Sequence, residues 1–180
     1  MVSNNSLILE ASLQAFFFEQ LASANDKSQL KLPKETIYYS SLVMDRFGHS
    51  HEYFEMVDGR VREKVLGMKL LESGHLSRRE QERSLKDIGD TALFLCGFFS
   101  DSINERKLLD IKYYRDVGQM AYQRLDSFAP SFCDVNSFYK KLSGQFDILT
   151  NLMQIVQQTH LSGENSDDVF LILGKSFKAS

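Results

Sequence analysis

The sequence predicts an all-α fold, a single-domain bundle of six or seven helices around a buried central helix at about residues 77–99. Three observations carry that expectation. From Thr91 to Phe99 the chain has no charge on any face, and a helix that is apolar all round must be enclosed by protein or lipid. The run is far shorter than the roughly 20 apolar residues that span a bilayer, so the enclosing material is protein. Two prolines, no tryptophan and 14 phenylalanines point to long helices with a Phe-rich interior rather than to strands and turns. Along most of the chain, apolar residues also recur at helical spacing.

Composition bounds the function. With 180 residues, 43% apolar and 25% charged, the chain fits one globular domain, 1–180, with a short flexible N-terminus. A net charge of −3 gives no general attraction for polyanions, so a nucleic-acid partner is not expected. Cys96 and Cys133 do not make a disulfide framework, and a reducing cytoplasm is the simplest setting. Glu10 interrupts the apolar stretch Leu7 to Phe18, and no basic region precedes it, so neither a signal peptide nor a membrane span is expected.

The first helix, residues 6 to 23, is read from Leu9, Leu13, Phe16, Phe17 and Leu21, with Ser6 or an adjacent Asn as cap. Phe16, Phe17 and Phe18 span about 200° of its surface, more than one face buries, so part of the cluster is expected on a self-association or partner surface. A polar loop follows from Ala24 to Lys31. Pro33 lies in the first turn of a second helix that ends near Phe47 and Gly48, with Tyr38, Leu42 and Val43 inward. His49 to Arg60 is left as loop. The third helix, Val61 to Glu72, places Val65, Met68 and Leu70 or Leu71 inward and stops at Ser73-Gly74, where glycine takes a left-handed cap.

Ser77-Arg78-Arg79-Glu80 reads as a capping box that opens the central helix. Ser100-Asp101-Ser102 leaves it, and Asp110 caps a fifth helix, Ile111 to Ser127, with Tyr114, Gly118, Ala121 and Leu125 in line. Pro130 closes that segment. A sixth helix, about Val135 to His160, carries the stripe Val135, Phe138, Leu142, Phe146, Leu149, Met153 and Val156. A polar linker, 162–166, leads to a short last helix from Asp167 to Leu173.

Gly89, Gly97 and Gly118 lie inside helices, where each costs roughly 1 kcal/mol against alanine. Close helix packing offsets that cost by letting a ring or a backbone approach; the functional alternative is a glycine-lined ligand pocket. No strand precedes these glycines, so a phosphate-cradling loop is not indicated.

The pattern Gly89-Asp90-x-Ala92-Leu93-Phe94-x-x-Gly97-Phe98-Phe99, followed by Tyr113-Tyr114-x-x-x-Gly118-x-x-Ala121-Tyr122, resembles a family of small uncharacterised bacterial all-helical proteins. Pro33-Lys34-Glu35-Thr36-x-Tyr38 resembles the start of that family's second helix. The resemblance covers roughly residues 10 to 160. It implies an all-α fold and a bacterial source, and brings no activity, cofactor or catalytic residue.

Three constellations are candidates for chemistry. His49-x-His51-Glu52, with Glu55, would offer imidazole and carboxylate ligands to a transition metal, but no helical His-x-x-x-His or Glu-x-x-His spacing supports it, and a solvated loop is the reading adopted. His75 and His160 sit at helix ends, where a cation is favourable, and read as surface residues. The basic stretch Arg60, Arg62, Lys64, Lys69, Arg78, Arg79, Arg83 and Lys86 would offer a surface to nucleic acid, anionic lipid or an acidic partner protein, but no recognition-helix pair or aromatic stacking platform accompanies it, and it reads as a solvated face with pairs such as Glu82–Lys86. Asp90, one turn before the uncharged run, shares a helix face with Phe94 and Gly97 and is therefore expected inside. A buried carboxylate needs donors, and the fifth helix offers Tyr113, Tyr114, Tyr122 and Arg115. No second carboxylate, Ser/His pair or Cys/His pair joins it, so no catalytic residue is assigned.

These features are read as those of a cytoplasmic, non-enzymatic binding or regulatory module with a protein partner or a second copy of itself, and without cofactor or metal. The alternative is a small-ligand sensor or enzyme whose pocket, lined by Asp90, Gly97, Tyr114 and Gly118, lies between the central and fifth helices. A cavity among those four residues favours the ligand. A filled interior beside an apolar surface patch favours the partner.

Overall fold

The structure is a computed structural model and describes residues 4–49, 65–100 and 110–161. The all-α expectation holds. The helices are α1 (Asn4–Lys27), α2 (Lys34–His49), α3 (Val65–Glu72), α4 (Arg78–Phe98), α5 (Ile111–Asp126), α6 (Phe138–Gly144) and α7 (Phe146–Leu161). A 3₁₀ turn, Ser73–His75, and a hairpin of β1 (Ser131–Phe132) and β2 (Val135–Asn136) complete the described elements. They form two compact units: α1, α2 and α7 from Leu152 onward in one, and α3 to α6 with the start of α7 in the other.

In the first unit α1 packs against α2. Leu13, Phe17 and Leu21 are buried on successive turns, as the spacing predicts. Phe16 and Phe18 are half-buried, and Phe18 meets Tyr38 edge-on at 6.3 Å. The helix runs on to Lys27, past its expected end at residue 23, and places the buried Asn25 in its last turns. Its Oδ1 accepts from the Leu32 N–H at 2.8 Å and its Nδ2 donates to the Leu32 carbonyl at 3.0 Å, clamping the returning chain to the last turn.

Pro33 stands just outside α2, where its carbonyl accepts from the Thr36 and Ile37 N–H groups. The buried residues of α2 are Thr36, Ile37, Tyr39, Ser40, Ser41, Val43, Met44 and Phe47; of the expected inward residues Val43 is buried, Leu42 is half-buried and Tyr38 is exposed. A hydropathy pattern counts serines as outward, yet Ser40 donates to the Thr36 carbonyl and Ser41 to the Tyr38 carbonyl, each at 2.7 Å. Satisfied by their own helix, both hydroxyls can be buried, and Ser41 also accepts from Gln14.

In the second unit α4 packs against α3 and, most extensively, against α5, which carries α6 on another side. Glu80 accepts the N–H of Ser77, its half of the capping box, and also the Ser77 hydroxyl, and those bonds hold its carboxyl below the usual carboxylate range. From Ile88 to Gly97 every residue is buried except Thr91, which is half-buried and donates its hydroxyl to the Asp87 carbonyl. The buried central helix is therefore present within this unit. Asp110 caps α5 by accepting from the Tyr113 N–H at 2.9 Å, and Tyr114, Val117, Gly118, Ala121, Tyr122 and Leu125 form its buried stripe.

Two expectations for α3 and its end are corrected. In α3 the buried pair is Leu66 and Leu70, while Met68 and Leu71 are 56% and 74% exposed. Val65, Leu66, Met68, Leu70 and Leu71 are more apolar residues than one face holds, and contact with α4 and α5 selects which go inside. Gly74 does not take a left-handed cap, because the chain tightens into the 3₁₀ turn instead. There the Leu70 carbonyl, left over at the helix end, accepts from Ser73 Oγ at 2.7 Å and from Arg124 Nη1 at 3.3 Å.

The predicted helix from Val135 to His160 is not continuous. Val135 belongs to the hairpin, whose two loop residues Cys133 and Asp134 have φ of 47° and 62°, the left-handed pair that a two-residue loop requires. Ser137, with φ 53°, turns the chain into α6, and a break at Gln145 separates α6 from α7. Phe138, Leu142, Phe146, Leu149, Met153 and Val156 are nonetheless all buried. So short a break barely changes the angular phase of the stripe, so the pattern reports burial correctly and continuity wrongly. The expected loop after His49, linker 162–166 and last helix 167–173 lie outside the described residues.

Candidate functional site at the crossing of α4 and α5

The crossing is built on two absent side chains. A Cβ on Gly89 would lie 2.6–2.9 Å from ring atoms of Tyr122, so the ring occupies the space that only glycine leaves. A Cβ on Gly118 would meet the Ala92 methyl and the Phe146 ring, each at 2.8 Å. Both glycines thus serve close packing, and both positions are filled by the chain's own side chains.

Seating Tyr122 on Gly89 sets the position of its hydroxyl, which donates to Asp90 Oδ1 at 2.8 Å. The other carboxylate oxygen, Oδ2, accepts from Lys86 Nζ at 2.7 Å, one turn earlier on α4. Asp90 is fully buried, whereas the Lys86 side chain is 43% exposed and brings its charge inward from the surface along its methylene stem. The Tyr122 ring is stacked on Tyr139 at 6.1 Å and tilted against Phe146 at 6.3 Å. The carboxylate is therefore held from two helices inside an aromatic cluster, with both oxygens engaged.

Among the four candidate donors on α5, Tyr122 reaches Asp90 with its hydroxyl. Tyr113 lies against Gly67 and the ring of Tyr114, and Tyr114 is buried in the stripe of α5. Arg115 faces Asp116 and Asp147, each at 3.7 Å. Lys86 is the partner that sequence reasoning missed, having assigned it to Glu82; the signal was present as its i, i+4 spacing to Asp90.

Of the four candidate pocket residues, Asp90, Gly97, Tyr114 and Gly118, all are buried on the two crossing helices. Asp90 is engaged by Lys86 and Tyr122, and the space at Gly118 is taken by Ala92 and Phe146. Cys96, next to Gly97, points its Sγ to the Ile111 carbonyl at 3.9 Å. Burial pushes its thiol up to about 12, against the pull of Arg115, which removes it as a thiolate nucleophile.

Elsewhere the basic stretch is divided among partners. Lys69 lies 4.0 Å from Asp87, Arg78 lies over the ring of Phe128 at 5.9 Å, and Arg79 and Arg83 are exposed. Arg60, Arg62 and Lys64, like the side chains of His49, His51, Glu52 and Glu55, fall outside what is described. Among the described residues no group of three His, Cys, Asp or Glu is placed to hold a metal, and no helix is long and apolar enough to cross a membrane.

Met68, expected inside, and Leu71, expected inside as the alternative to Leu70, lie at the surface. Tyr113 touches Gly67 and Arg124 reaches Leu70, so the stripe of α5 through Tyr113, Met120 and Arg124 runs along α3. Met120 on that stripe is 44% exposed, Met68 and Leu71 of the adjoining α3 also face solvent, and Leu76 follows at 41%. Scattered exposed apolar residues are ordinary; several large ones along two adjoining helices are not.

Comparison with protein-family models, curated proteins and solved structures finds no match to this chain.

Proposed function

We propose that the protein is a non-enzymatic binding or regulatory module of the cytoplasm, belonging to the bacterial helical family that its motifs resemble, and that it docks a partner protein over α3 and the adjoining stripe of α5. The observation supporting this reading is the contrast between the two places. At the crossing of α4 and α5 the Asp90 carboxylate and the space at Gly89 and Gly118 are taken by groups of the chain itself, while Met68, Leu71 and Met120 leave large apolar side chains in water. Leu71, at 74% exposure, contributes little to folding, and together with Met68 and Met120 it supplies apolar area that a partner could bury.

The test is a pair of surface variants, Met68→Lys and Leu71→Lys, compared with the wild type for complex formation and for Tm. A partner recovered with the wild type and lost from both variants at unchanged Tm supports the reading. Retention of every partner by both variants overturns it. Light scattering at high concentration identifies the partner as a second copy if the wild type self-associates and Leu71→Lys does not. A thermal-shift screen with nucleotides, divalent metals and metabolites addresses the other class of function. A compound that raises the Tm of the wild type but not that of Gly118→Ala would place a small ligand at the crossing and displace this proposal.

A further inference from the structure

We draw no further inference here: the strongest candidate, the apolar surface of Met68, Leu71 and Met120 along α3 and α5, already belongs to the proposed function, and nothing in the structure shows what covers it.

Discussion

The hydroxyl of Tyr122 donates to the buried carboxylate of Asp90 at 2.8 Å, across the contact between α5 and α4. This bond links helices whose residues are 32 positions apart in the chain, and it closes only because Gly89 makes room for the ring that carries the hydroxyl. Asp90 thereby serves as a lock on the crossing, and its energetics can be measured.

Replacing Asp90 by alanine leaves the Tyr122 hydroxyl buried without its acceptor, at a cost of about 1–3 kcal/mol. The 3–5 kcal/mol typical of an orphaned buried charge does not apply, because the half-exposed Lys86 can return its ammonium to water. Denaturant unfolding of Asp90→Ala should show that loss, and Tyr122→Phe a comparable one. A double-mutant cycle should give a coupling of about 0.5–3 kcal/mol. Asp87→Ala should change little, since Thr91 bonds the Asp87 backbone and Lys69 lies 4.0 Å from its partly exposed carboxylate. An unchanged Tm for Asp90→Ala would contradict the lock.

Gly89→Ala pits two known effects against each other. Alanine gains about 1 kcal/mol of helix propensity, but its methyl must displace an aromatic ring held between Tyr139 and Phe146. Overpacking of that kind costs about 1–3 kcal/mol, so net destabilisation is expected. Gly74→Ala is the control: a Cβ there meets nothing within 4 Å, and the variant should equal or slightly exceed the wild type in unfolding free energy.

The two cysteines should differ in reactivity. Cys133 is exposed at the hairpin tip and Cys96 is buried, so native protein at pH 8 should expose one thiol to a small aromatic disulfide reagent, and denatured protein two. A raised thiol pKa stabilises the fold below the unfolded value of 9.0, and that contribution is lost as pH rises toward about 12, because the unfolded chain ionises first. Stability should fall through this window less steeply in Cys96→Ala than in the wild type. Rapid labelling of Cys96 at pH 8 without unfolding would show that α4 opens locally.

The hairpin loop holds Cys133 and Asp134 in the left-handed region, which suits Asn and Gly far better than Cys. The double variant Cys133→Asn, Asp134→Gly should raise unfolding free energy by about 1 kcal/mol. A decrease would mean that one of the native side chains makes a contact worth more than the strain.

What the sequence determined by itself is whatever depends on residues within a turn or two of one another. The cap of α5 by Asp110, the reach of Glu80 back to Ser77 and the buried run from Ile88 to Gly97 were all legible, because each is a property of neighbours on one helix. The burial of Asp90 was legible for the same reason, since Phe94 and Gly97 share its face. Tertiary structure alone decided which of three tyrosines meets that carboxylate, which face of α3 turns inward and where the helix after Pro130 breaks. Each of these outcomes rests on contacts between residues far apart in the chain, the ring of Tyr122 on Gly89 and the side chain of Arg124 on the Leu70 carbonyl among them. Helical periodicity names the candidates for such contacts. Choosing among them requires the distance and angle between two helices, which no spacing along one helix contains.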